Sequence, residues 1–295
     1  MIGAHVDSES ERREKLWEAL LSAGGPGMVP PKLIRDLGIY GGAQGIWVNK
    51  EMTGGVSDDG AGIAVGVLHN GSSYADDLSD DGVIYHYPTT NRRGGRDEAE
   101  SAALRNANRL KLPVFVITRN PVNVARRDVH RGWVTDIDDA SAQCLIEFYD
   151  EVRPTVLDHS GPEEFRLEAN RAEIEHLSKR KKRSCRFTFE VGKRCGWRCA
   201  VCNIELKCLL DAAHIRGVAD KGSDDPRNGL ILCKNHHAAF DAGLLNFHPE
   251  TGAVELSDHL STEKIGITVS VLPEQLRPHI EALRWRRERS GTAKS

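Results

Sequence analysis

The chain has 295 residues, 39% hydrophobic and 28% charged, the composition of a folded protein with room for two cores. Its net charge of −3 hides a division: from His176 onward 21 Lys+Arg face 14 Asp+Glu, whereas residues 1–175 hold 19 against 29. No apolar run approaches the roughly 18–20 residues of a membrane helix, so a membrane protein is not expected, and a basic C-terminal part suits a polyanionic partner.

The opening MIGAHVDSESERREKLWEAL has neither a basic n-region nor an apolar h-region, so a cytoplasmic location is expected. Residues 8–22 are predicted to be helical: Ser8 and Glu11 stand at capping-box spacing, and Leu16, Trp17, Leu20 and Leu21 make an apolar stripe. GGPGMVPP then breaks the pattern. From Gly38 to about Tyr149, short β-like runs are separated by Gly, Asp and Asn: GIWV, GIAVGVL, GVIYHY, LPVFVIT and AQCLIEFY. One helical insert, DEAESAALRNANRLKL (97–112), interrupts them. These runs predict a β-rich, barrel-like domain with few helices.

PEEFRLEANRAEIEHLS (162–178) reads as a charged connecting helix, followed by the basic run SKRKKRSCR (178–186). That run suits either a solvated linker or phosphate contact. PEQLRPHIEALRWRRER (273–289) is predicted to be a C-terminal helix with Leu276, Ile280 and Leu283 on one face. The expected class is α+β in two domains: 1–155 with the N-terminal helix, a helical and basic linker over 156–184, and a second domain over 185–295. There is no internal repeat.

Five of the seven cysteines, Cys195, Cys199, Cys202, Cys208 and Cys233, crowd into 39 residues. An odd count in a reducing compartment argues against a disulfide framework, and C-x-x-C spacing argues for metal. Cys199 and Cys202 form a knuckle that presents two thiolates to one ion, and Cys233-x-x-His236 closes a tetrahedral site about 30 residues on. That is the donor set of structural Zn²⁺. Cys195 and Cys208 are alternative ligands, but each breaks the paired spacing, and they are read as structural cysteines.

NGLILCKNHHAAFD (228–241) sets two histidines side by side. On a helix, neighbours diverge by about 100°, so His236 can face the zinc while His237 serves a second centre. Upstream, DAAHI (211–215) reads as a strand end carrying His214, and Asn228 lies between the two. C-x-x-C…DAAHI…NGLILC-x-x-HHAAFD resembles the HNH nucleases, over about residues 185–250. The resemblance implies a zinc-stabilised ββα-metal fold and one catalytic Mg²⁺ or Mn²⁺ ion. It makes His214 the general base, Asn228 the residue that ties down the loop, and His237 a ligand of the catalytic metal. Many relatives carry Asp immediately before the base; Ala213 stands there, and Asp211 is the candidate substitute.

SSYADDLSDDGVIYHYPTTNRRGGRD (72–97) concentrates Tyr74, Tyr85 and Tyr87 among acidic groups, although aromatic residues are only 6% of the chain. With GIYGG (38–42) before it, the pattern Y-x-D-D…GGRD resembles the SRA domain over roughly 35–150. That family is a β-barrel-like reader that flips a modified cytosine out of the duplex. The resemblance implies Tyr74 and Tyr87 as stacking rings and Asp77 as acceptor for the exocyclic amine, with Gly71, Ser72 and Ser73 leaving room for a 5-methyl group. Pro88 replaces a usual hydroxyl residue, and the loop after GGRD is short, so full CpG specificity does not follow. Arg92 and Arg93 are placed to serve phosphates.

An SRA-like reader, a linker and an HNH nuclease in this order resemble the modification-dependent restriction endonucleases. The implied partner is double-stranded DNA carrying 5-methylcytosine or 5-hydroxymethylcytosine, and the implied use is bacterial defence. One HNH site cuts one strand, so a double-strand break calls for two copies and a homodimer is expected. Two other readings keep their place: a non-catalytic regulator that binds methylated DNA, and an HNH nuclease directed to another modification or an unmodified site.

Overall fold

A computed structural model describes residues 2–43, 45–69, 78–87, 96–149, 164–169 and 184–292. The chain divides into two compact units, Met1–Val156 and Leu157–Ser295. No helix among the described residues is long and apolar enough to cross a membrane.

The first unit opens with α1 (Ile2–Ser22) and α2 (Pro31–Asp36), then β1 (Gly45–Val48), α3 (Lys50–Thr53), β2 (Ala64–His69) and β3 (Gly82–His86). It continues with α4 (Arg96–Arg109), β4 (Val114–Arg119), β5 (Arg127–Asp138) and β6 (Gln143–Phe148). Six strands form one sheet in the order β1-β2-β4-β5-β6-β3. β2 and β4 run parallel and every other neighbouring pair antiparallel. Strand alternation divides β4: Val114 and Val116 enter the cluster that includes Leu104 and Ala107 of α4, while Phe115 and Ile117 enter the cluster with Leu20 and Ile34. Helices thus supply apolar partners to both faces of the sheet.

In that layering the expected barrel-like closure is not seen among the described residues. Among the described residues β1 and β3 are the edges of an open sheet, and no pairing closes it. The unit is mixed α and β. Two further differences have local causes. α1 begins at Ile2, so Ser8 and Glu11 lie inside it rather than at its start. β5 is a twelve-residue strand absent from the expected set. Its inward positions include Arg131, which is buried against Trp17 and Trp133 and paired to Glu14 at 2.6 Å, so a charge breaks the apolar alternation.

The second unit contains α5 (Cys185–Cys195), β7 (Leu210–His214), β8 (Gly229–Cys233), α6 (Lys234–Asp241), β9 (Leu245–Phe247), β10 (Val254–Leu256), α7 (Thr262–Ile265) and α8 (Ile280–Thr292). Ser184 caps α5 by accepting from the Phe187 amide, and Gly196, with φ +78°, ends it. Gly192 is fixed by packing: a Cβ there would lie 2.3 Å from the Trp197 ring. Phe187, Val191, Leu230, Ile231, Leu232, Phe240 and Leu283 share one core.

The expected helix over 273–289 begins only at Ile280. Pro278 lacks an amide donor and biases the residue before it away from helix; Arg277 has ψ 136°. The expected connecting helix over 162–178 is not helical where it is described. Residues 164–169 run non-helically, Glu168 bridges to Gly222, and Phe165 and Leu167 pack on the core of the second unit. The rest of that stretch, and residues 178–183 of the basic run, lie outside the described residues.

Candidate functional site

β7 and β8 form an antiparallel hairpin in which Leu210 faces Cys233 and His214 faces Gly229. α6 follows directly from Cys233. The hairpin and helix together set out every candidate residue of the second unit except the Cys199–Cys202 knuckle, which the turn after α5 supplies.

The ligand atoms of Cys199, Cys202, Cys233 and His236 all lie within 4.8 Å of one another, and all four residues are buried. His236 Nδ1 is 3.1 Å from the Cys233 sulfur and 3.5 Å from that of Cys199. Its Nε2 lies 2.9 Å from the Ile265 carbonyl oxygen. A carbonyl only accepts, so Nε2 carries the proton and the Nδ1 lone pair faces the sulfurs. Burial pushes the Cys202 thiol up to about 12, with Cys199 and Cys233 adding to it. Buried soft donors that resist ionising alone fit a divalent ion, which takes the place of the protons. The cluster can therefore hold a metal. Cys195 sits in the core, where burial raises its thiol. Cys208 is exposed.

Asn228 is wholly buried and cross-links its loop. Its Oδ1 accepts from the Arg216 amide at 3.0 Å, and its Nδ2 donates to the Arg216 and Ser223 carbonyls at 3.0 and 2.9 Å. Its own carbonyl accepts from the Ile215 amide at 2.8 Å. The backbone on the C-terminal side of His214 is thereby fixed. The His214 ring lies flat on Phe187 of α5, with centroids 3.6 Å apart and planes 6° from parallel. Its Nε2 is 3.1 Å from Asp224 Oδ1.

Alternation along β7 puts Asp211 and Ala213 on one side and His214 on the other. On the Asp211 side stands α6. His237 Nδ1 is 3.1 Å from Asp211 Oδ2, and its Nε2 is 3.4 Å from Asp241 Oδ2. Lys234 reaches the other Asp211 oxygen at 3.3 Å. His236 and His237 thus point to different partners, the sulfur cluster and a pair of carboxylates. Two carboxylates and an imidazole are donors suited to Mg²⁺ or Mn²⁺.

In the first unit, Tyr74 and Asp77 lie outside the described residues, as do Gly71, Ser72, Ser73, Pro88, Arg92 and Arg93. Tyr87 is half-buried; its hydroxyl donates to Asp139 Oδ1 at 2.6 Å, and the Arg105 guanidinium stands 5.9 Å from its ring centre. Burial, helped by Asp139, raises the phenol above its ordinary range.

Asp224, Phe187 and Asp241 were absent from the sequence-derived site. Asp241 had a signal, since it follows His237 by four residues on a helix. Asp224 and Phe187 had none: each meets His214 through tertiary structure alone.

Residues 199–248 match the family model described as HNH endonuclease, so the second unit carries an HNH endonuclease domain. No curated protein matches the chain. Among solved structures, one titled modification dependent TagI restriction endonuclease is similar at a TM-score of 0.36 and 20% identity, covering 90% of this chain and 92% of that one. Another, titled type IV phosphorothioation-dependent restriction endonuclease ScoMcrA, is similar at a TM-score of 0.28 and 14% identity, covering 90% of this chain and 59% of that one.

Proposed function

We propose that the chain is a modification-dependent DNA endonuclease that reads 5-methylcytosine or 5-hydroxymethylcytosine and hydrolyses a nearby phosphodiester with its HNH domain. The observation that carries the nuclease half is the Asn228 cross-link behind His214, within a segment that matches the HNH endonuclease family. His214 takes the proton from the attacking water; a neutral imidazole near pH 7 suits that task. Asn228 holds the backbone beside it, so the ring is aimed before substrate arrives. His237 with Asp211 holds the catalytic divalent ion, and Asp241 stands at the other imidazole nitrogen. Bound there, the ion supplies Lewis-acid stabilisation of the charged phosphorus centre and the leaving oxygen. The Cys199, Cys202, Cys233 and His236 cluster holds structural zinc, since three thiols and one imidazole are a soft donor set for a closed tetrahedral site.

Support for the reader half is the sequence pattern of GIYGG, Y-x-D-D and GGRD, with Tyr74, Tyr87 and Asp77 as the proposed base pocket. Flipping costs a few kcal/mol of unstacking, recovered by stacking and by hydrogen bonds to the base edge. The acidic balance of residues 1–175 suits a pocket that reads a base rather than a broad phosphate-binding face. A double-strand break by single-site nucleases calls for a homodimer, and the basic C-terminal part supplies attraction for phosphates.

The test is cleavage of one plasmid in unmethylated, 5-methylcytosine and 5-hydroxymethylcytosine forms, with Mg²⁺ or Mn²⁺. Cutting of the modified forms alone, lost with EDTA and in His214→Ala, supports both halves. Equal cutting of all three removes the reader half. Cutting that survives in His214→Ala removes the assignment of the base.

A further inference from the structure

We infer that Asp224 is the positioning residue of the catalytic histidine, so that His214 and Asp224 act as a dyad. This rests on the reading of His214 as general base and adds a residue to it. His214 Nε2 lies 3.1 Å from Asp224 Oδ1. A carboxylate only accepts, so the proton sits on Nε2 and the lone pair on Nδ1. The Nδ1 atom then receives the proton of water, and the Asp224 charge stabilises the imidazolium that forms.

Two features make the contact a built one. The Phe187 ring holds the imidazole plane at 3.6 Å, leaving rotation within that plane for Asp224 to restrain. The loop that carries Asp224 is clamped immediately before it. Ser223 donates its amide to the Leu167 carbonyl at 3.2 Å and its hydroxyl to the Arg166 carbonyl at 2.5 Å. Its own carbonyl accepts from Asn228 Nδ2 at 2.9 Å. Immediately after it, Asp225 accepts from the Arg227 amide at 2.8 Å. Asn228 therefore secures both ends of the dyad, through Arg216 near His214 and through Ser223 beside Asp224.

The other charged groups near His214 are turned to partners of their own. α5 presents Phe187, with the Arg186–Glu190 ion pair on the same helix. The cross-strand neighbour is the uncharged Gly229. Arg216, two residues on, is turned to Glu168 at 2.9 Å and to the Asp220 carbonyl at 2.8 Å. Asp211 is paired to His237 at 3.1 Å and to Lys234 at 3.3 Å.

The experiment measures single-turnover cleavage of a 5-methylcytosine plasmid by the full chain with Mn²⁺, from pH 5.5 to 8.5, for wild type, His214→Ala, Asp224→Asn and Asp224→Glu. Asp224→Asn keeps size and removes charge. Its rate is expected to fall about 10–100-fold at pH 7.5, within the range general-base catalysis supplies. Asp224→Glu, which keeps the carboxylate, is expected to recover part of the rate. DNA affinity and zinc content stay unchanged in both. An Asp224→Asn rate within twofold of wild type, or a loss that Asp224→Glu does not partly restore, overturns the dyad. His214→Ala distinguishes the two levels: its inactivity leaves the general base standing whatever Asp224 does, and its activity removes both.

Discussion

His236 turns its Nε2 to the Ile265 carbonyl at 2.9 Å, and this one contact selects which nitrogen faces the three cysteines. The carbonyl belongs to α7, about 30 residues beyond the ligand, so the cluster joins the knuckle, the β8–α6 corner and α7. Removing the ion by a strong chelator is expected to unfold the second unit in part. Cys233→Ser is expected to lower zinc content below half of wild type and to reduce Tm. Metal analysis with a thermal melt checks both; a melt unmoved by chelation would separate the cluster from stability.

Asn228→Ala deletes a buried cross-link rather than a surface contact. It leaves the Arg216 amide and the Arg216 and Ser223 carbonyls without the partner they now share. Each orphaned buried group costs about 1–3 kcal/mol, although relaxation and water recover part of it. A loss of about 2–4 kcal/mol in urea unfolding is expected, with at least a hundredfold loss of cleavage where folding is retained. Asn228→Asp is expected to be no better, because a carboxylate oxygen would face two carbonyls.

In the first unit, Glu9 and Arg13 meet at 2.7 Å inside the protein, and Arg13 is wholly buried. Burial alone would raise the Glu9 pKa, but Arg12 and Arg13 together hold it below the usual carboxylate range. A depressed carboxylate pKa contributes stability above the unfolded value of about 4, lost as pH falls through the folded one. Glu9→Gln leaves the Arg13 charge buried without its counter-ion, and a cost of about 3–5 kcal/mol is expected at pH 7. The gap between variant and wild type should narrow as pH falls below about 4. Denaturant unfolding at pH 7 and pH 3.5 checks the sign.

Legibility of the chain followed how local each cause is. GIWV (45–48) is the observed β1, and the short β-like run LPVFVIT placed β4, because both patterns are complete within one segment. β5 escaped because Arg131 occupies an inward position, satisfied by Glu14 from a helix more than a hundred residues earlier. The cluster of Cys199, Cys202, Cys233 and His236, which could hold a metal, was legible from spacing, since a knuckle and a helix start present side chains at fixed offsets. The separate partners of His236 and His237 followed from helix rotation. Asp224 was not legible. Its contact depends on a loop path set by Asn228 and by Arg166 and Leu167, none of which leaves a periodic mark. The strand order among the described residues was not legible for a similar reason: a run of strands specifies pairing partners poorly, and the helices on both faces come from distant segments.

The carboxylates around His237 set the last expectation. An imidazole gives one nitrogen to an ion, and a carboxylate at its other nitrogen orients the ring. Asp211 is held at 12% side-chain exposure with Lys234 beside it, whereas Asp241 is 64% exposed. The buried carboxylate is the better fixed and is expected to matter more. Asp211→Ala should raise the Mn²⁺ concentration for half-maximal cleavage by about 10–100-fold, and Asp241→Ala by less. Lys234→Ala, which removes the competing cation from Asp211, should lower it. Titrating Mn²⁺ in cleavage assays of the three variants gives the order directly. If Asp241→Ala proved the more damaging, the helix pair His237 and Asp241 would hold the ion and Asp211 would orient the ring.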